Sequence, residues 1–153
     1  MTERELRVFI DVVVEYFRDV TGDPVEMGVP FVQEGRTKLL DHTGVIGISG
    51  AKRGGVLVTA GEQMLRELAA IILGSEELEP EDVVDMVGEL TNTVAGNVRR
   101  EFGSSFMISV PIVLEGKPSD IRFRLKPPIF VVPINWRDHR AYLSVGLEDG
   151  HVN

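Results

Sequence analysis

The sequence predicts a single α/β domain of the α+β kind, with three main helices packed on an antiparallel sheet. Three segments carry apolar residues at helical spacing, and short β-rich segments separated by turn residues surround them. A chain of 153 residues is about the size of one domain, and no linker or low-complexity segment divides it. One domain is therefore expected to span residues 1–153.

The first two helices are predicted from their apolar spacing. The first is expected over residues 4–20 and ends before Gly22 and Pro24. Its inward positions repeat every three or four residues: Leu6, Phe9, Ile10, Val13, Phe17 and Val20. A second helix is expected over residues 62–73 with a similar apolar face.

The third helix, over residues 80–102, has the clearest boundaries. Pro80 suits the first helical position, where its missing N–H has no partner to lose. Glu81 and Asp82 follow in the first turn, which the helix dipole favours for acidic residues. Gly103 is typical of a residue that ends a helix.

The remaining segments are predicted to be extended. Residues 44–49 and 55–60 form a hairpin around a turn at 50–54. The other extended segments are 25–33, 106–114, 120–125, 129–134 and 141–147. Trp136 is expected at a turn or a sheet edge, half covered by its neighbours.

An internal repeat appears when the chain is compared with itself at an offset of 81 residues. Residues 22–35 then align with residues 103–116, and the first helix aligns in phase with the third. Six positions are identical: Gly22, Val29, Pro30, Val32, Glu34 and Gly35 match the residues at 103, 110, 111, 113, 115 and 116. The pattern indicates two helix-plus-strand units, roughly 4–60 and 80–147, related by a pseudo-twofold axis.

Composition excludes several classes of function. The net charge of −8 argues against nucleic acid, because binding to phosphates needs a basic surface. No apolar run is long enough to span a membrane, and the N-terminus does not resemble a signal peptide. The absence of cysteine excludes disulfides and thiolate chemistry and fits a reducing compartment, so a cytoplasmic location is expected.

The third helix has one polar face that could carry chemistry. With about 100° per residue, the apolar stripe is formed by Val83, Val87, Leu90 and Val94. Asp85, Glu89 and Asn92 fall on the opposite side. Glu89 and Asn92 are three residues apart, so their side chains can reach a common point.

Two glycines and a second asparagine accompany this face. Gly88 and Gly96 both lie in the helix interior, where each costs roughly 1 kcal/mol relative to alanine. Both are expected to project toward Glu89 and Asn92, and they would leave room for a partner's backbone or for a neighbouring helix. Asn97 falls close to the apolar stripe and is expected to be structural.

The segment 83–97, VVDMVGELTNTVAGN, resembles the signature of the CheX/CheC/FliY chemotaxis phosphatases. The motif positions are Asp85, Glu89, Asn92 and the later Pro111. The resemblance extends through GVIGISG (44–50) and ISVPIVLEG (108–116) and covers nearly the whole chain, with CheX as the most similar subgroup. It implies a CheC-like fold.

The resemblance also implies an activity: hydrolysis of the aspartyl phosphate on a CheY-like response regulator. Asn92 would orient the attacking water, Glu89 would dock on the receiver's lysine, and Asp85, Gly88 and Gly96 would contact the partner. No cofactor is expected on this chain, and Mg²⁺ is expected on the response regulator. A homodimer is implied as well, with strands 129–134 and 141–147 as plausible edges.

One active site per chain is expected. The repeat places Val8 opposite Glu89 and Asp11 opposite Asn92. Because the side chain of valine can neither donate nor accept a hydrogen bond, the first helix lacks the pair.

Other readings of the sequence are weaker. The glycines of residues 44–55 lack the Gly-Lys-Ser/Thr ending of a phosphate loop and fit a hairpin turn better. Ser49 lacks a nucleophile-elbow pattern, and the three histidines lack metal-ligand spacing. Asp85 and Glu89 could be taken for a glycosidase pair, but both lie on one helix face.

The alternative from another class is a non-catalytic module that binds a receiver or assembles into a flagellar or signalling complex. Such a module would use the same helix face for docking. The presence of both Glu89 and Asn92 favours catalysis.

Overall fold

The computed structural model describes residues 1–117 and 125–150, which form three helices and an eight-stranded sheet. The helices are α1 (Glu3–Thr21), α2 (Glu62–Leu73) and α3 (Pro80–Phe102). The strands are β1 (Glu26–Met27), β2 (Phe31–Val32), β3 (His42–Gly50), β4 (Lys52–Ala60), β5 (Phe106–Ile108), β6 (Ile112–Glu115), β7 (Phe130–Trp136) and β8 (His139–Asp149). The prediction of three helices packed on an antiparallel sheet is confirmed.

Every strand pairing in the described sheet is antiparallel. The strand order is β1-β7-β8-β4-β3-β5, with β2 also paired to β7 and β6 also paired to β3. The helices pack on one another and on the sheet, and α3 contacts four strands: β3, β4, β5 and β6. The third helix is therefore held against the half of the sheet that contains the first hairpin.

Local signals determine where the helices begin and end. A capping box starts α1: the Glu5 N–H donates to Thr2 Oγ1 (3.1 Å), and the Thr2 N–H donates to Glu5 Oε1 (2.8 Å). Gly22 ends α1 with φ of 73°, a left-handed conformation that glycine adopts at little cost. At the start of α3, the Glu79 N–H donates to Asp82 Oδ2 (2.8 Å).

The predicted strands exist, but two of them are interrupted. The extended segment 25–33 contains β1 and β2, separated at Gly28–Pro30, and the segment 106–114 contains β5 and β6, separated at Ser109–Pro111. Each break contains a proline, which has no N–H to donate to a ladder. The hairpin β3–β4 is longer than predicted and turns at Ala51. The predicted strand 120–125 falls almost entirely outside the described residues.

Two expectations about the C-terminal strands are wrong. β8 lies between β7 and β4, and β7 lies between β8 and the short strands β1 and β2, so neither is an edge. Trp136, expected to be half covered, is completely buried at the end of β7. Its ring lies 5.6 Å from that of Phe17 on α1, because the strand continues past Ile134 and turns this side chain toward the helices.

The core lies between the helices and the sheet. One continuous cluster joins apolar residues of α1, α2 and α3 to those of β3, β4, β7 and β8. The long strands β4 and β8 are buried on both faces over most of their length. No helix within the described ranges is long and apolar enough to cross a membrane.

Candidate functional site

The polar face of α3 is exposed and its apolar face is buried. Val83, Val87, Leu90 and Val94, the predicted stripe, have at most 1% of their surface accessible. Asp85, Glu89 and Asn92 are exposed on the other side of the helix. Neither Glu89 nor Asn92 has a side-chain hydrogen bond or ion pair to residues 1–117 or 125–150. Both side chains are thus available to a partner.

Thr91, next to Asn92, lies where α3 packs closely against the sheet. Its hydroxyl is buried and donates to the Val87 carbonyl oxygen (2.7 Å) within the helix. Thr91 faces Gly44 of β3, where a Cβ would overlap the threonine hydroxyl. Because Gly44 has no side chain, the helix approaches the strand closely at the level of Asn92.

The two glycines of α3 differ in their surroundings. A Cβ on Gly96 would meet nothing within 4 Å, so this position is open. Gly88 is buried, and a Cβ there would lie 3.0 Å from Val113 Cγ2 of β6. The expectation that Gly88 leaves open room is wrong, because the strand β6 packs over it. Pro111 is two residues before Val113, in the bend between β5 and β6.

A cleft of about 470 Å³ opens beside Glu89, between α1 and α3. Its walls include Tyr16 and Asp19 from α1 and Glu89, Thr93 and Asn97 from α3. Asn97 was expected in the interior, but it is half-buried in this cleft. The sequence did not locate the cleft, because its position depends on how the two helices cross.

The helices α1 and α3 run in opposite directions. The ring of Phe9, near the start of α1, lies 6.3 Å from the ring of Phe102, at the end of α3. Tyr16, further along α1, shares the cleft with Glu89, which is nearer the start of α3. The C-terminal half of α1 is therefore the neighbour of the candidate site.

The cleft is predominantly acidic. Its lining contains one guanidinium, that of Arg100, and four carboxylates: those of Glu15, Asp19, Glu89 and Glu101. Burial first, and then the charge of Glu89, raise the pKa of Tyr16 above its usual value. The tyrosine is therefore neutral at physiological pH. An electronegative surface of this kind favours cationic groups on a partner.

The alternative candidates do not form sites. Residues 44–55 lie in the β3–β4 hairpin, as predicted. His139 of β8 bonds to Glu67 of α2, His42 lies in β3 opposite Ala60, and His151 falls outside the described residues. No group of three or more metal-ligating side chains occurs in the part of the chain that the structure describes.

A protein-family model described as chemotaxis phosphatase CheX matches residues 42–135, more than half of the chain. No curated protein matches the chain in sequence. The matched segment begins with β3, includes α3 and ends in β7.

Solved structures share the whole fold. The chemotaxis protein CheX from Vibrio vulnificus is 27% identical with a TM-score of 0.81, and the match covers 95% of this chain and 99% of that one. A putative chemotaxis protein from Desulfovibrio vulgaris Hildenborough is 28% identical with a TM-score of 0.81, covering 95% and 97% of the two chains.

A third structure, the CheX–CheY–BeF3–Mg²⁺ complex from Borrelia burgdorferi, contains a chain of the same fold. It is 18% identical with a TM-score of 0.75, and the match covers 95% of this chain and 98% of that one. The family match over residues 42–135 and the agreement of the complete fold lead to one conclusion: the chain belongs to the chemotaxis phosphatase CheX family.

Proposed function

We propose that this protein removes phosphate from the aspartyl phosphate of a CheY-like response regulator, with Asn92 orienting the attacking water and Glu89 docking on the receiver. The observation that carries the proposal is that both side chains, three residues apart, are exposed on one face of α3, whose opposite face is buried against the sheet. The membership of the chain in the chemotaxis phosphatase CheX family supports phosphatase activity. The Borrelia complex, in which a relative of this fold is crystallised with CheY, supports a receiver domain as the partner.

Asn92 would orient the attacking water. An amide both donates and accepts hydrogen bonds, so it can fix a water molecule without depending on pH. The water oxygen bonds to phosphorus as the bond from phosphorus to the aspartyl oxygen breaks. The products are a free carboxylate and dihydrogen phosphate, which keeps both protons of the water. Since asparagine is a poor base, its contribution is positioning.

Glu89 would fix the docking geometry. A carboxylate forms a strong, charge-assisted hydrogen bond with a lysine ammonium, and the receiver's lysine is the group expected there. The acidic cleft beside Glu89 favours the approach of a cationic partner surface. Mg²⁺ belongs to the response regulator in this scheme. Asp85, one turn before Glu89, and the open position at Gly96 would complete the contact surface.

The proposal is tested by the dephosphorylation rate of a phosphorylated receiver with and without the protein. The wild type should accelerate phosphate release, and Asn92→Ala should lower the rate at saturation roughly 100-fold while binding persists. Glu89→Gln should mainly raise KM, because it removes the charge that pairs with lysine. Glu81→Gln is the matched control, because it makes the same change on an exposed residue of α3, about 12 Å away along the helix.

A second function, a non-catalytic module that binds a receiver or assembles into a flagellar or signalling complex, uses the same exposed face. Binding without acceleration by the wild type would establish that module and refute the phosphatase. Equal rates for wild type and Asn92→Ala would remove the water-positioning role.

We also propose a homodimer. Its interface cannot use β7 and β8, the edges that were expected, because both strands are interior in the sheet. The chain exposes Val110 and Ile112 where β5 passes into β6, and Val29 and Phe31 around β2. Exposed apolar residues beside short outer strands suit an interface between copies. Light scattering on the purified protein measures the assembly directly, and a monomeric mass at micromolar concentration would contradict the dimer.

A further inference from the structure

Tyr16 is a buried polar residue that the proposed reaction does not yet use. It lies in the α1 wall of the cleft beside Glu89, and only 6% of its surface is exposed. Its hydroxyl oxygen has no hydrogen-bond partner among the described residues. Buried hydroxyls in folded proteins normally have a partner, so this one is available to bond to a group that enters or moves within the cleft.

The hydroxyl of Tyr16 is suited to donate to a carboxylate. Desolvation by burial, and then the charge of Glu89, raise the pKa of the phenol, so it keeps its proton at neutral pH. A protonated phenol donates one hydrogen bond, and carboxylates are strong acceptors. Of the four carboxylates that line the cleft, Glu89 is the one whose charge acts on Tyr16. Thr93 and Asn97 also line the cleft, but they project from α3 itself. Tyr16 lines the same cleft as Glu89 from a second helix, α1.

Glu89 would need such a partner when it docks. In the free protein its side chain is exposed and unpaired among the described residues, so several conformers are open to it. A docked receiver covers the cleft and excludes water, and a hydrogen bond formed there is stronger than one in solvent.

We propose that Tyr16 is a positioning residue whose O–H donates to the Glu89 carboxylate in the docked complex and holds it in the conformer that meets the receiver's lysine. The inference rests on the proposed function, because it assigns Tyr16 a role through Glu89. A role for Tyr16 would make α1, which has no glutamate and asparagine pair of its own, part of the site on α3.

Tyr16→Phe tests the inference, because it removes only the hydroxyl. The Kd for the Mg²⁺–beryllofluoride form of the receiver should rise about 10-fold, the usual effect of losing a hydrogen bond to a charged group. KM should rise in parallel, and kcat should change less than about 2-fold, since Asn92 is untouched. The urea midpoint should stay equal or rise, because a buried hydroxyl without a partner is lost.

Tyr142→Phe is the matched control. Tyr142 is the second of the two tyrosines in the chain, and its hydroxyl accepts a hydrogen bond from Lys38 Nζ (3.2 Å) away from the cleft. This variant should bind the receiver like the wild type. A double-mutant cycle with Glu89→Ala isolates the coupling, because glutamine at position 89 would still accept a hydrogen bond from the tyrosine. In a protein that already carries Glu89→Ala, Tyr16→Phe should change Kd by less than about 2-fold.

The outcomes separate this inference from the proposed function. Receiver binding by Tyr16→Phe equal to that of the wild type, with Glu89→Gln still impaired, overturns the role of Tyr16 alone. A 10-fold loss of affinity on Tyr16→Phe that is the same with and without Glu89→Ala overturns positioning through Glu89. Failure of the wild type to bind the receiver overturns the proposed function, and the role of Tyr16 with it.

Discussion

Gly44 lies on β3 directly beneath α3, and replacing it with alanine should disturb the candidate site from the opposite side of the helix. The new Cβ would overlap Thr91 Oγ1 and lie 2.9 Å from Thr91 Cβ and 3.0 Å from the Val87 carbonyl oxygen. Two of these three atoms are close to or part of the backbone, so they cannot rotate away. The helix or the strand must therefore move.

The expected loss follows from two opposing effects. Overpacking a tight interior site costs about 1–3 kcal/mol. Replacing glycine by alanine at a compatible backbone stabilises the fold by about 0.4–1 kcal/mol, because the unfolded chain has less entropy. Gly44→Ala should therefore lower the free energy of unfolding by about 1–2 kcal/mol. Because Thr91 precedes Asn92, the shift should also reduce phosphatase activity.

Urea unfolding followed by circular dichroism measures the first effect, and receiver dephosphorylation measures the second. Gly47→Ala is the control on the same strand, because its Cβ would lie 3.5 Å from Ser109 Oγ, an ordinary van der Waals distance. This variant should keep both stability and activity. The reasoning is refuted if Gly44→Ala unfolds at the same urea concentration as Gly47→Ala.

Three further predictions concern stability. Gly96→Ala should raise the free energy of unfolding by about 0.5–1 kcal/mol in urea titrations, because its Cβ meets nothing within 4 Å; a loss would show that the helix is crowded there. Trp136→Ala should lower it by about 3–5 kcal/mol, since the ring is fully buried, and a loss below about 1 kcal/mol would contradict that packing. Burial acts to raise the pKa of Glu5, but bonds from Lys52 and the Thr2 backbone outweigh it and hold the pKa below its ordinary value. The ion pair therefore stabilises the fold at neutral pH and is lost as the pH falls through that pKa. Lys52 also pairs with the exposed Asp149, whose pKa it lowers as well. Lys52→Met should cost about 1 kcal/mol or less at pH 7, and this cost should shrink as the pH falls and the carboxylates are protonated; a cost that does not change with pH would refute the pairing.

The helices were predictable because their signals are local. The apolar stripe of α3 and the acidic residues after Pro80 depend on spacing along one segment. The exposed face with Glu89 and Asn92 follows from the same spacing. The family resemblance depends on short motifs and needs no knowledge of tertiary contacts.

The predictions that were wrong concern contacts between segments that are distant in the sequence. The surroundings of Gly88 depend on Val113 of β6, and a helical-wheel projection of α3 contains no information about residues of other elements. The burial of Trp136 depends on Phe17, and the interior position of β8 depends on how β7 and β4 flank it. The cleft beside Glu89 arises where two helices cross. Such features are set by the packing of the whole domain, and no periodicity within one segment encodes them. The internal repeat stays a prediction.

The close fit of α3 between Gly44 on β3 and Val113 on β6 has a thermodynamic consequence. A helix seated on two strands has its backbone ordered before any partner arrives, so association does not have to order it. The entropy lost on this side of a complex then comes from exposed side chains such as those of Asp85, Glu89 and Asn92, at about 0.5–1.5 kcal/mol each. In the proposed complex with a receiver, substitutions at Glu89 and Asn92 should change the dissociation rate more than the association rate.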